Sequence, residues 1–146
     1  MTEQTKLQPI PEDWERALAV VAHPDDLEYG VASAVARWTS QGKQVTYLLA
    51  TRGEAGIDSM TPEEAGKLRE SEQRNSASVV GVSTVEFLGY TDGVVEYGLP
   101  LRRDIARAIR KHRPNVLITS NYSLNWSRGS INFWWNSWRW SCSTFL

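Results

Sequence analysis

The sequence predicts an α/β fold in which a parallel sheet is covered by flanking helices. Short apolar runs alternate along the chain with segments that have helical periodicity. A strand that is followed by a helix and then by another strand makes a right-handed crossover, which leaves the strands parallel. The 146 residues are enough for one domain with a sizeable hydrophobic core.

The first half of the chain contains two predicted strands and one helix. Residues 16–22 form an apolar run of the kind that is buried on both faces of a sheet. The next segment carries apolar residues at helical spacing from Leu27 to Trp38 and ends at Gly42, which predicts one continuous helix. Residues 45–50 form the second apolar run and predict the second strand.

The second half repeats the alternation. Thr61-Pro62-Glu63-Glu64 is a capping box with proline at the first helical position, and it predicts the start of a long helix. Residues 84–88 predict the third strand. Another helix begins near Pro100, and its last turn is basic, which the helix dipole favours. Residues 115–120 predict the fourth strand.

The end of the chain has a different composition. The segment from residue 121 to residue 146 holds five of the seven tryptophans, no acidic residue, and neither helical nor strand periodicity. We therefore divide the chain into an α/β domain at 1–122 and an atypical tail, rich in tryptophan and serine, at 123–146.

Composition argues against several classes of protein. The net charge is −1 and the basic residues near the C-terminus are explained as the solvated face of a helix, so a nucleic-acid partner is not expected. No apolar run approaches the roughly 20 residues of a membrane span. The only cysteine, Cys142, rules out an internal disulfide and suits a reducing compartment, so we expect a cytoplasmic protein. The oligomeric state stays open, with a homo-oligomer among the possibilities.

The most informative motif is Ala22-His23-Pro24-Asp25-Asp26, which directly follows the first predicted strand. Ligands of open α/β folds bind at this edge of the sheet. The imidazole of His23 and the carboxylate of Asp26 suit zinc, or Fe²⁺ or Mn²⁺ as substitutes. Asp25 is then placed to accept the proton of a metal-bound water. The alternative is that both aspartates merely cap the following helix.

From Arg16 to Tyr122 the chain resembles the PIG-L or LmbE-like zinc-dependent de-N-acetylases. The motif above is the most specific common element, and the loops 51–56 and 89–93 support it. The resemblance implies a Rossmann-like, three-layer α/β fold and hydrolysis of the N-acetyl group of an N-acetylglucosamine conjugate. It also implies zinc ligation by His23 and Asp26 and general-base catalysis by Asp25. The positions that would contact the sugar or its aglycone are Glu54, Arg69 and Asp92.

The sequence departs from this family at the third zinc ligand. A catalytic zinc usually has three protein ligands, and the family's third ligand is a histidine in an Asp-His pair after the fourth strand. This chain has no such pair, and His112 precedes the fourth strand at the opposite edge of the sheet. The family also continues well past residue 146, so we expect that a frameshift or a truncation replaced its C-terminal part with the tail at 123–146, and that the chain as given is poorly soluble and essentially inactive. An inactive remnant of the family is therefore the alternative to an active enzyme.

The sequence lacks the motifs of two other classes of protein, the dinucleotide-binding proteins and the α/β serine hydrolases. A dinucleotide-binding site would need a glycine-rich turn after the first strand, where this chain has bulky charged residues. A serine hydrolase of the α/β type would need a Gly-x-Ser-x-Gly elbow, and none is present.

Overall fold

The computed structural model describes residues 9–120 of the chain. Strands and helices alternate throughout this part, as the sequence predicts. In chain order the elements are β1 (Arg16–Val21), α1 (Asp26–Gly30), α2 (Ala32–Ser40), β2 (Gln44–Leu49), α3 (Pro62–Val79), β3 (Thr84–Phe87), α4 (Leu99–His112) and β4 (Val116–Thr119).

The strands of this part of the chain form one parallel sheet in the order β3-β2-β1-β4. The central strands β1 and β2 are paired from Arg16 with Gln44 to Val21 with Leu49. Because all strands run in the same direction, the loops that follow them meet at one edge of the sheet. This architecture confirms the predicted α/β fold with its parallel sheet.

Helices cover the sheet on both faces, which makes three layers. Alternate residues of β1 point to opposite faces, so Ala19 and Leu18 belong to different hydrophobic clusters. The larger cluster includes Leu27 of α1, Trp38 of α2 and residues of α3. On the other face, Leu18 and its neighbours pack against α4. Full burial of a leucine side chain contributes about 1.5–3 kcal/mol to stability, so the clusters on both faces of the sheet stabilise the fold.

The segment after β1 differs from the single helix that the sequence predicts. Two helices, α1 and α2, are separated at Val31, whose φ of −141° is not helical. Gly30 and the β-branched Val31 are both poor helix formers, and helical spacing of apolar residues alone does not reveal a break between them. The amide of Val31 still donates to the carbonyl of Leu27 at 2.8 Å, so the two helices stay closely joined.

The remaining predictions concern the C-terminal tail and a membrane span. The tail predicted at 123–146 lies outside the described residues. Within residues 9–120, none of the helices combines the length and the apolar character that a membrane crossing requires.

Glu12 fastens the segment before β1 to α2. Its carboxylate accepts hydrogen bonds from Arg37, from the indole of Trp38 and from Gln41. These bonds, first of all those from Arg37, lower the pKa of Glu12 to about 2. The attachment also brings the buried Trp14 against Trp38, with ring centroids 5.2 Å apart.

We expect Glu12→Gln to lower the thermal stability at neutral pH, because the substitution removes the charge on which these bonds depend. A depressed pKa contributes stability that is present above the ordinary value of 4.5 and is lost as the pH falls toward about 2. The difference in Tm between the variant and the parent should therefore shrink over this interval. Thermal unfolding at a series of pH values measures it. Glu15→Gln, the same charge change at an exposed neighbour, is the matched control for the change in net charge.

Candidate functional site

The turn after β1 is closed by the side chain of Asp26. Its Oδ2 accepts hydrogen bonds from the amide of Ala22 at 3.1 Å and from the amide of His23 at 2.9 Å. The helix α1 starts at Asp26 itself, and Asp25 makes no side-chain capping bond to it. The carboxylate of Asp26 thus accepts amides of the turn that precedes α1. The alternative prediction is that the aspartates cap the helix, and Asp25 makes no such bond.

Asp25 occupies the left-handed region of backbone conformation, with a φ of 81°. This conformation costs a residue other than glycine about 1–3 kcal/mol, although aspartate tolerates it better than most residues. The amide of Asp25 donates to Oε1 of Gln73 at 3.0 Å. Gln73 lies on α3 and is buried.

Arg69, also on α3, connects the motif to the loop after β2. Its Nη1 donates to the carbonyl of Gly53 at 3.2 Å, and its Nη2 donates to the carbonyl of Pro24 at 3.1 Å. Nη2 also pairs with Oδ2 of Asp25 at 2.9 Å. The guanidinium passes close to Gly56, where a Cβ atom would clash with Nη1. Arg69 therefore faces the site rather than a surface partner on its own helix.

His23 lies between two carboxylates. Its Nε2 is 2.9 Å from Oδ1 of Asp92, and its Nδ1 is 3.7 Å from Oδ2 of Asp26. The Asp26 carboxylate raises the pKa of His23, against the opposite effect of burial, and Asp92 adds to the rise. A histidine with a carboxylate on one ring nitrogen is oriented as metal-binding histidines commonly are.

Glu54 joins the loops that follow β2 and β3. Its Oε2 accepts from the amide of Arg52 at 3.1 Å, and its Oε1 accepts from the amide of Asp92 at 2.9 Å. In return, Oδ2 of Asp92 accepts from the amide of Ala55 at 3.2 Å. These bonds fix the backbone of Asp92, whose side chain reaches His23.

A cavity of about 610 Å³ opens above the carboxyl ends of the strands. One side is charged and is lined by His23, Asp25, Asp26, Arg69 and Asp92. The other side is apolar and is formed by the ends of the strands, by the loop before α4 and by α4 itself. Glu54 lines a smaller cavity of about 290 Å³ instead. The sequence predicts all six site residues at this edge of the sheet, and five of them line the larger cavity.

Burial raises the pKa of Asp25, an effect that Arg69 opposes and the neighbouring Asp26 reinforces. A carboxylate with a raised pKa holds a proton more strongly, which brings it closer to the range in which a general base works at neutral pH. Arg69 holds Oδ2 of this carboxylate, and Asp25 lines the cavity.

The donor chemistry around His23 suits a divalent metal. An imidazole nitrogen and carboxylate oxygens are ligands that zinc binds in proteins. Within residues 9–120, however, no three side chains of the His, Cys, Asp and Glu types are grouped as a metal site. His112 lies elsewhere, with its Nε2 3.2 Å from Oε1 of Glu86. The described residues therefore supply two expected ligands, His23 and Asp26.

Sequence reasoning missed Gln73 and the space that Gly56 leaves for Arg69. Gln73 follows Arg69 by four residues on α3, so both lie on the same face of the helix. This spacing was the available signal for Gln73. Nothing in the local sequence indicates which side chain approaches Gly56.

The fold and the cavity define an α/β domain that has its ligand site at the carboxyl edge of a parallel sheet. The chain belongs to the PIG-L family, because the sequence profile described as "PIG-L: GlcNAc-PI de-N-acetylase" matches residues 18–127. This result confirms the family that the motif indicates.

Several relatives of this chain are named as deacetylases. The chain is 31% identical over 108 residues to a diacetylchitobiose deacetylase of Thermococcus kodakarensis, with 73% of this chain and 40% of the relative covered. It is 30% identical over 109 residues to a probable N-acetyl-α-D-glucosaminyl L-malate deacetylase 2 of Bacillus anthracis, with 70% and 48% covered. The structure of N,N′-diacetylchitobiose deacetylase from Pyrococcus horikoshii superposes with a TM-score of 0.76 at 26% identity, over 80% of this chain and 44% of the other. This chain thus spans less than half of the length of each of the three.

We expect Gly56→Ala to displace the guanidinium of Arg69, because the added methyl group takes the space of Nη1. The guanidinium is the flexible end of its side chain and can shift, and the Asp25 carboxylate with which it pairs is more than half exposed, so weakening these bonds should lower the free energy of unfolding by about 1 kcal/mol. Chemical denaturation of the variant measures this change. In an Arg69→Ala background the same substitution should cost less, since the contact with Nη1 is then absent and the nearest remaining atom is the carbonyl oxygen of Gly53, 3.2 Å from the added Cβ atom.

Gly30→Ala is the matched control, since a Cβ atom at Gly30 meets nothing within 4 Å. Alanine is the better helix former, so this variant should be as stable as the parent or slightly more stable. If Gly56→Ala is as stable as Gly30→Ala, the close approach of Arg69 to Gly56 is wrong.

Proposed function

We propose that this protein is a metal-dependent de-N-acetylase that hydrolyses the N-acetyl group of an N-acetylglucosamine conjugate. Membership of the PIG-L family and the names of the relatives support this reaction. The observation that carries the proposal is the cavity at the carboxyl edge of the sheet, where His23, Asp25 and Asp26 lie together on the charged side. The substrate is a small amino-sugar conjugate, and its aglycone stays undetermined.

Zinc is the metal that we propose, with Fe²⁺ or Mn²⁺ as substitutes, and His23 and Asp26 would hold it. When bound, such a metal supplies a more acidic water and polarises the amide carbonyl. Asp92 fits the role of the carboxylate that orients the metal-binding histidine, because it lies 2.9 Å from Nε2 of His23. Nδ1 of His23, which lies 3.7 Å from Oδ2 of Asp26, would then be the nitrogen that holds the metal.

Asp25 is the proposed general base. Its carboxylate lines the cavity, Arg69 fixes one of its oxygens, and burial raises its pKa. In the hydrolysis it accepts the proton of the attacking water at the free oxygen and passes it to the departing amine.

The proposed contacts to the sugar or its aglycone involve the rim of the cavity. Arg69 and Asp92 line the cavity, which supports a contact of each with the substrate there. Glu54 lies in the smaller cavity beside it, and both of its oxygens accept backbone amides. We assign Glu54 a contact only to the part of a conjugate that extends beyond the larger cavity.

An inactive member of the family is the second candidate. It is favoured by the lack of a three-residue metal site within the described part of the chain. The two candidates differ in metal affinity and in turnover, so both can be measured on the same protein.

We expect His23→Ala and Asp26→Asn to weaken zinc binding, because each removes a proposed ligand. Asparagine at position 26 keeps an acceptor for the amides of Ala22 and His23 and so preserves the turn. Asp92→Asn should weaken binding by about 10–100-fold, the usual effect of an orienting partner. Competition with a chromogenic chelator measures the affinities. Asp25→Asn is the control and should bind zinc as the parent does; unchanged affinity in His23→Ala would contradict the ligand assignment.

The proposal of an active enzyme requires that the zinc-loaded parent release acetate from at least one of a panel of N-acetylglucosamine conjugates, whereas the expectation drawn from the atypical tail is that it releases none. Asp25→Asn should be at least about 10²-fold slower, because general-base catalysis contributes that much. Assay of the free amine that is formed measures both rates. A parent that holds zinc but releases no acetate from any conjugate would support the inactive candidate.

A further inference from the structure

Gln73 is a buried polar side chain that has no part in the proposed chemistry but contacts the proposed base. Only 2% of the residue is exposed. Its Oε1 accepts the amide of Asp25 at 3.0 Å, and its Nε2 donates to Oε1 of Glu28 at 2.9 Å. An amide side chain with one acceptor and one donor committed in this way has a single orientation.

Glu28 anchors this amide from the neighbouring helix. Its Oε1 accepts hydrogen bonds from Gln73 and from the hydroxyl of Ser76. Glu28 belongs to α1, whereas Gln73 and Ser76 belong to α3. The position of Gln73 therefore depends on side chains of two helices and not on the loop that it holds.

Asp25 is the residue that needs such support. Its φ of 81° is unfavourable for any residue with a Cβ atom, and an isolated Asp25 would return to negative φ. The same conformation brings the carbonyl of Pro24 and Oδ2 of Asp25 together at Nη2 of Arg69. If the backbone of Asp25 rotated, its carboxylate would leave this position at the cavity.

We propose that Gln73 is a positioning residue that holds the backbone of Asp25 in the left-handed conformation and thereby directs its carboxylate into the cavity. The catalytic consequence rests on the proposed function, because it assumes that Asp25 is the base. The conformational statement does not rest on it and can be tested on the protein without a substrate.

The conformational test uses NMR on the full chain, labelled with ¹⁵N. A residue at positive φ has its amide and α protons unusually close, so Asp25 of the parent should give a strong intraresidue NOE between them. Gln73→Met has a similar length but neither the acceptor nor the donor, and this NOE should weaken to the level of ordinary residues. Gln73→Asn, which is too short to reach both partners, should have the same effect if the methionine variant does not fold.

An exchanged pair tests whether the hydrogen bond itself is responsible. In Glu28→Gln combined with Gln73→Glu, the carboxylate at position 73 still accepts the amide of Asp25, and the amide at position 28 becomes the donor. The strong NOE should return in this double variant. Ser76→Ala removes the other bond to Glu28 without touching Asp25, so it is the matched control and should keep the NOE.

The catalytic test uses the same variants in the deacetylation assay with zinc present. A displaced base slows the chemical step, so Gln73→Met should lower kcat by about 10²-fold and leave KM and zinc affinity unchanged. The exchanged pair should recover most of the parent's kcat. A loss that appears in KM, in zinc content or equally in Ser76→Ala would point to general damage and would overturn the positioning role.

The NOE measurements test the role of Gln73 independently of the deacetylation assay. If no variant, including the parent, releases acetate, the proposed function fails while the NOE series still decides the role of Gln73. If Gln73→Met keeps the strong NOE at Asp25, or if the exchanged pair does not restore it, the proposal about Gln73 is wrong.

Discussion

The guanidinium of Arg69 is the interaction on which the geometry of the site depends. It contacts the carbonyl of Pro24, the carboxylate of Asp25 and the carbonyl of Gly53, so one side chain from α3 ties the loop after β1 to the loop after β2. The two loops are joined further by the buried Thr51, whose amide and hydroxyl both donate to the carbonyl of Ala22. Arginine suits this position because its planar fork of donors can serve several acceptors at once. Gly56 is the complementary requirement, since any side chain there would occupy the same space.

The site concentrates negative charge at one edge of the sheet, and the fold compensates for it mainly with backbone amides. Asp26 accepts two amides from its own turn, and Glu54 accepts two amides from different loops. Asp92 accepts an amide and also pairs with His23. Each carboxylate that is partly removed from water thus gains donors that replace its hydration. A bound cation would add to this compensation, which is consistent with the donor chemistry of His23 and Asp26.

The sequence predicts the elements of the fold better than their arrangement. Apolar runs identify the four strands because a strand between two helical layers must be apolar on both faces. The order β3-β2-β1-β4 and the break at Val31 depend on packing between distant segments, which no local pattern reports. The site residues show the same difference between local patterns and distant contacts. Their common edge of the sheet is predictable, because the carboxyl ends of parallel strands lie at one edge. The hydrogen bond between Gln73 and Asp25 joins distant segments and is visible only in the structure.

Arg69 and Gln73, both on α3, contact different parts of Asp25. Arg69 touches the carboxylate itself, so it fixes the position of Asp25 and also opposes the rise in its pKa that burial causes. Its removal would change geometry and proton affinity together, and the two effects could not be separated by rate measurements alone. Gln73 touches only the backbone amide of Asp25. A change at Gln73 therefore alters the direction of the carboxylate while its nearest charges stay in the protein, which makes Gln73 the better position at which to measure what placement alone contributes.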